Sequence, residues 1–130
     1  MLLEAAIIAP FVFLLLFGVI EFGWIFYQYQ DVRQGAREGA RIAAVDEVSN
    51  SDGIRTQTCA QMEEPANTTV SMSRTGNVVG SRGTIVVTRN IRSLTGFLDP
   101  ILGSSRNVTS TVQFRVEESI LWTNDSAKPC

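Results

Sequence analysis

Between Ala5 and Ile20 the chain carries no charged or strongly polar side chain, and after a single Glu21 the apolar character resumes through Phe22-Gly23-Trp24-Ile25-Phe26-Tyr27. A run of about 23 such residues matches the ~20 that an α-helix needs to cross the hydrocarbon of a bilayer. One small soluble domain would spread its apolar residues through the sequence, whereas here they concentrate at the front. A secretory signal peptide also offers an apolar stretch, but it follows a basic segment and closes on a small-x-small cleavage site. Neither flank is present, and the helical pattern continues well past the run. Because an inserted helix normally keeps Lys or Arg on its cytoplasmic side, the expectation is that a short basic leader preceded Met1 and was removed.

The rest of the composition argues against chemistry. Histidine is absent, no Ser/Lys pair or phosphate-binding loop is present, and the carboxylate pairs Glu63-Glu64 and Glu117-Glu118 are adjacent in sequence without the spacing of a site. No enzyme, cofactor or metal is expected. The net charge of −2 and the absence of clustered positive charge give no nucleic-acid footprint. Cys59 and Cys130 belong to no CxxC motif, and in an exported domain they read as one disulfide. Closing a loop of about 70 residues would stabilise the fold by ~4 kcal/mol on a chain-entropy estimate.

Along the chain, the first element is a helix from about Leu2 to about Glu47, which would be ~70 Å long. Pro10 has no N–H to give, so a kink is expected there, with Gly18 and Gly23 as further weak points. Beyond Tyr27 the helix turns amphipathic, and the segment QGAREGARIAAV is the most patterned in the chain. Gly35, Gly39 and Ala43 recur at intervals of four, as do Ala36, Ala40 and Ala44, with Arg33, Arg37 and Arg41 as a third row. Rows at this spacing lie side by side on a helix, giving a small-residue face that permits close approach of another element. That element is the helix of another subunit, the head of the same chain, or both, since a helix has several faces. The arginine stripe, tempered by Glu38, reads as a solvated face or an assembly contact.

The run from Asp46 to Gly53 ends the helix and reads as a linker. Then the period changes to two, in Thr68–Arg74, Thr84–Arg92 and Asn107–Glu117, which are expected as three strands whose apolar face packs on the second half of the helix. The insertion between the last two carries an apolar turn, Phe97, Leu98, Ile101 and Leu102, interrupted by Pro100, expected as a loop that caps the head or touches a neighbour. Sequons at Asn67, Asn107 and Asn124 are read as coincidental.

The string Glu4-Ala5-Ala6, Pro10, Leu16-Phe17-Gly18-Val19-Ile20-Glu21-Phe22-Gly23, Phe26-Tyr27 and Ala36-Arg37-Glu38-Gly39-Ala40-Arg41 resembles the N-terminal region of TadE-like proteins, pilins and pseudopilins of the tight-adherence branch of type IV filament systems. The pattern of Thr84–Glu117 is similar to the family more loosely. The resemblance implies an α+β, type IV pilin-like fold, with residues 1–47 as membrane anchor and filament core and residues 48–130 as a β-rich extracellular head. It implies a prepilin cut by a membrane-embedded aspartic peptidase, residence in the inner membrane, and extraction by the pilus assembly machinery into a helical filament of copies of itself that serves surface attachment. The family's glutamate is usually fifth in the mature chain; here the matching residue is Glu4. Its expected role is to pair with the α-amino group of an adjacent subunit, and Glu21 would either pair with a neighbour's arginine, such as Arg33, or mark the edge of the bilayer. Two rival roles fit the same sequence: a minor pseudopilin that primes or caps a filament, and a single-pass membrane protein that displays a binding head without polymerising.

Overall fold

The computed structural model describes residues 2–96 and 99–130. Helix α1 (Leu2–Ala44) leads into α2 (Ser51–Ala60), β1 (Thr68–Arg74), β2 (Arg82–Arg92), the single turn α3 (Asp99–Leu102), β3 (Ser105–Arg115) and β4 (Asp125–Pro129). The strands form one antiparallel sheet in the order β3-β2-β1-β4. The layout is α+β and type IV pilin-like: a long apolar N-terminal helix carrying a small antiparallel sheet.

Helix α1 is continuous through Pro10, whose missing N–H leaves the carbonyl of Ala6 without its usual helical partner. It stops at Ala44, three residues short of the expected end, because the head supplies its terminal acceptors with donors. The indole Nε1 of Trp122 donates to Ala43 O at 3.0 Å and Glu117 N donates to Ala44 O at 2.9 Å. Asp46, at φ 50°, then turns the chain in the left-handed region where Asp is among the better-tolerated residues.

The expected linker holds the start of a second helix. Asn50 caps α2 in an extended conformation, its side-chain oxygen accepting from Gly53 N at 2.6 Å, so the run Asn-Ser-Asp-Gly opens a helix as well as ending one. Ile54, Thr58 and Cys59 are the buried face of α2, turned toward α1 and β1.

The three expected strands are present, and period two governs which side of each is covered. Thr68, Val70 and Met72 of β1 and Ile85, Val87, Arg89 and Ile91 of β2 are buried, while their neighbours in sequence are more exposed. The register pairs Val70 with Val87 and Met72 with Ile85, and on the other side of β2, Ile85 with Val112. This face meets Val32, Ala36, Ala40, Ile42 and Ala43 of α1, with Ile120 and Trp122 closing the end of the core. The second half of α1 is therefore part of the head's own core, so the unit that packs begins well before residue 48. The fourth strand, β4, lies on the β1 edge with an irregularity between Val70 and Met72.

Of the expected apolar turn, Phe97, Leu98 and the side chain of Leu102 lie outside the described residues; Asp99–Leu102 is a helical turn and Ile101 is exposed. Two of the sequon asparagines have local work to do. Asn67 takes φ 56° just before β1, and the Asn124 side chain accepts from Arg74 N at 2.8 Å.

Candidate assembly surface

Helix α1 divides into two stretches with opposite surroundings. Over residues 4–20 most of the large side chains are exposed, namely Ile7, Ile8, Phe11, Val12, Phe13, Leu14, Leu15, Leu16 and Val19, with Phe11 at 72% and Phe17 half-buried. This apolar surface takes in most of the helix's circumference, which is the pattern of an element made for lipid or for copies of itself rather than for water. Glu4 stands exposed at its base, and Pro10 is exposed within it. The helix is long and apolar enough to cross a membrane.

The change comes at Glu21, which is 1% exposed. Its carboxylate accepts from Leu94 N at 2.9 Å, Thr95 N at 3.1 Å and Thr95 Oγ1 at 2.8 Å. A turn further along, Trp24 Nε1 donates to Arg92 O at 3.3 Å. To the two expected readings of Glu21, a neighbour's arginine or the edge of the bilayer, the structure adds a third. The carboxylate is the receptor for a loop of its own head, and backbone N–H groups are what it binds.

Two turns above, Arg89 of β2 enters the interface and is 2% exposed. Its Nη1 donates to Asp31 Oδ2 and Gln28 Oε1, both at 2.7 Å, and its Nε donates to Thr68 Oγ1 at 2.8 Å. Asp31 also accepts from Glu63 N at 2.9 Å, Gln28 donates to Glu64 Oε2 at 2.9 Å, and Tyr27 donates to a carboxylate oxygen of Glu63. A buried arginine is tolerable only with such partners, and here they come from α1, from β1 and from the segment after α2. Gln28 and Asp31, polar residues where the helix turns amphipathic, thus face the head and not water; Arg89 has no counterpart in the sequence analysis. Its placement at an inward position of the period-two strand β2, between Val87 and Ile91, was the available signal.

Above this cluster the small-residue rows are occupied. Gly35, Ala36, Gly39, Ala40 and Ala43 are buried, and the element that approaches them is α2 with the inner face of the sheet. A Cβ built on Gly39 would stand 2.4 Å from Thr58 Oγ1 and 2.8 Å from Ile85 Cδ1; one on Gly35 would stand 2.6 Å from Met62 Cγ. Of the two readings given for these rows, the protomer itself supplies the packing of its own head: α2 and the sheet fill the face formed by Gly35, Ala36, Gly39, Ala40 and Ala43.

The third row points away. Arg33, Arg37 and Arg41 are exposed; Arg41 pairs with Glu38 at 2.8 Å and Glu47 at 3.2 Å. At the far edge of the sheet Cys59 of α2 is bonded to Cys130, with their Cα atoms 5.8 Å apart, which fastens β4 and the end of the chain to α2. Arg55 reinforces that edge by reaching Asp125 at 3.2 Å, and Lys128, whose ammonium is held above its usual range by its hydrogen bond to Asp125, joins it at 2.8 Å.

A free apolar half and a head-clamped half, joined through one buried glutamate on a single helix, invite comparison with known families. Residues 1–41 match the TadE-like protein family. The match points to a protein associated with Tad pili and fits a membrane-anchored chain. The TadE-like segment covers Glu4, Pro10 and Glu21 and runs into the small-residue rows as far as Arg41, so it spans both halves of α1; α2 and the sheet lie outside it. No curated protein and no solved structure matches the chain.

Proposed function

We propose that the chain is a structural subunit of a Tad-type filament, held in the inner membrane by residues 4–27 before assembly and incorporated into an extracellular polymer through the same stretch. One observation carries the reading: the apolar surface of α1 is largely exposed up to Ile20, while the head is fastened to the helix from Glu21 onward. A head so fastened moves with the helix as one body when the helix leaves lipid. Exchange of lipid for the helices of neighbouring copies keeps the apolar residues out of water throughout. In the bundle, Glu4 pairs with the N-terminal ammonium of an adjacent copy, which offsets the cost of burying a carboxylate and sets axial register. The heads then form the outer surface, with the arginine row and the outward faces of the strands available for attachment.

The test is immunogold electron microscopy of sheared surface filaments with antibody against the head. Label along the whole filament supports a bulk subunit. Label confined to filament tips supports the minor, priming or capping role instead, and label only on membrane fragments contradicts incorporation of either kind.

A further inference from the structure

We infer that the described parts of the connection between β2 and β3, residues 93–96 and 99–104, sit in the outer interfacial layer of the bilayer while the chain awaits assembly, and that Glu21 is what admits them there. The inference rests on the reading of α1 as membrane-inserted. With Glu4 at the inner headgroup level, Glu21 lies about 25 Å along the helix at 1.5 Å per residue, within the ~30 Å depth of a typical hydrocarbon core. The hydrogen bonds from Leu94 N, Thr95 N and Thr95 Oγ1 fix the start of the loop at that height. Head and bilayer therefore meet at this loop, which exposes two large apolar side chains there, Leu94 at 54% and Ile101 at 80%.

The chemistry of the contact is reciprocal. Irregular backbone is excluded from hydrocarbon because its N–H groups lack partners, and a carboxylate is excluded because it lacks donors. Glu21 and residues 94–95 satisfy one another, and Trp24 Nε1 satisfies the carbonyl of Arg92. Among the described residues of the loop, the large apolar side chains left exposed are Leu94 and Ile101, and Phe22 is exposed on the turn of α1 that carries Glu21. The occupant of this surface is thus the acyl-chain and glycerol region of the same bilayer that holds α1. The opposite end of the sheet, where Val78 and Val79 are exposed in the turn between β1 and β2, stands away from it.

The full chain, with the Cys59–Cys130 bond intact, is reconstituted at low density into phosphatidylcholine–phosphatidylglycerol vesicles. An environment-sensitive fluorophore is attached through Ile101→Cys, Val79→Cys or Leu14→Cys. The expected result is quenching of the Ile101 and Leu14 probes by nitroxide lipids and not by iodide, with the reverse at Val79. In a Glu21→Ala background the Ile101 probe is expected to become accessible to iodide while the Leu14 probe stays protected. An Ile101 probe that behaves as the Val79 probe does overturns the inference with α1 still inserted. Protection of Ile101 that arises only at high protein density assigns the surface to a second copy and overturns it too. Iodide access to the Leu14 probe removes the inserted helix itself, and the inference with it.

Discussion

Arg89 on β2 and Asp31 on α1 meet at 2.7 Å with their side chains 2% and 5% exposed, so the ion pair that fastens the sheet to the helix is out of water. Arg89 donates further hydrogen bonds to Gln28 Oε1 and Thr68 Oγ1, and removal of one member of the ion pair strands the other. Asp31→Ala or Arg89→Ala is expected to destabilise the head by about 3–5 kcal/mol. The paired replacement Asp31→Leu with Arg89→Met should cost less than either single change, since it leaves no buried charge. Urea midpoints of the four proteins in detergent check this; a double variant as damaged as the sum of the singles would argue against it.

The small-residue rows yield a prediction about position rather than composition. Thr58 is β-branched and holds its hydroxyl on Ile54 O at 2.7 Å, so it has little freedom to yield to a Cβ on Gly39. Met62, opposite Gly35, is long and flexible. Gly39→Ala should therefore lower stability by roughly 1–3 kcal/mol, as overpacking does, despite the better helix propensity of Ala, and Gly35→Ala should be much milder. Arg37→Ala, on the exposed row of the same turns, should leave the melting temperature unchanged. Equal melting temperatures for Gly39→Ala and Gly35→Ala would show that neither glycine is placed for the head.

How much of this was legible beforehand follows from how local each signal is. Helix α1 and strands β1, β2 and β3 announce themselves because their burial patterns are periodic within one element, and Thr68–Arg74 was bounded at both ends by its neighbours. Helix α2 escaped because its cap, Asn50 to Gly53, is spelled like a turn and its buried face is only Ile54, Thr58 and Cys59. Strand β4, Asp-Ser-Ala-Lys-Pro, has no apolar alternation at all: it is an edge strand with exposed Lys and Pro, held in place by a disulfide. Glu21 and Gly39 stand out within the helix from the sequence, whereas Asp31 does not. Their partners, the N–H groups at 94 and 95, Arg89 and Thr58, are set by tertiary approach, which spacing within a helix cannot report.

The disulfide is expected to matter most for the edge it holds. Cys59→Ser with Cys130→Ser reopens a 71-residue separation, and the chain-entropy estimate gives a loss of about 4 kcal/mol. The loss should appear first at β4, where the amides that pair with β1 should exchange with deuterium far faster than those between β2 and β3. Uniform acceleration across the whole sheet would mean that the bond stabilises the head as a whole and not its edge.

Glu4 bears most directly on assembly, because hydrophobicity and pairing predict opposite signs for its replacement. Glu4→Gln removes the charge and makes the helix less costly to bury, so a core held by apolar contact alone would take up the variant at least as well as the wild type. A core that pairs this carboxylate with a neighbour's ammonium would reject it, because the ammonium would be left unpaired in the bundle. The measurement is the amount of chain in sheared filaments relative to the amount retained in the membrane, by quantitative mass spectrometry of both fractions from wild-type and Glu4→Gln cells. The account predicts normal membrane levels and a filament fraction reduced at least about tenfold, the effect of ~1.4 kcal/mol. A Glu4→Gln filament fraction equal to that of the wild type would contradict it.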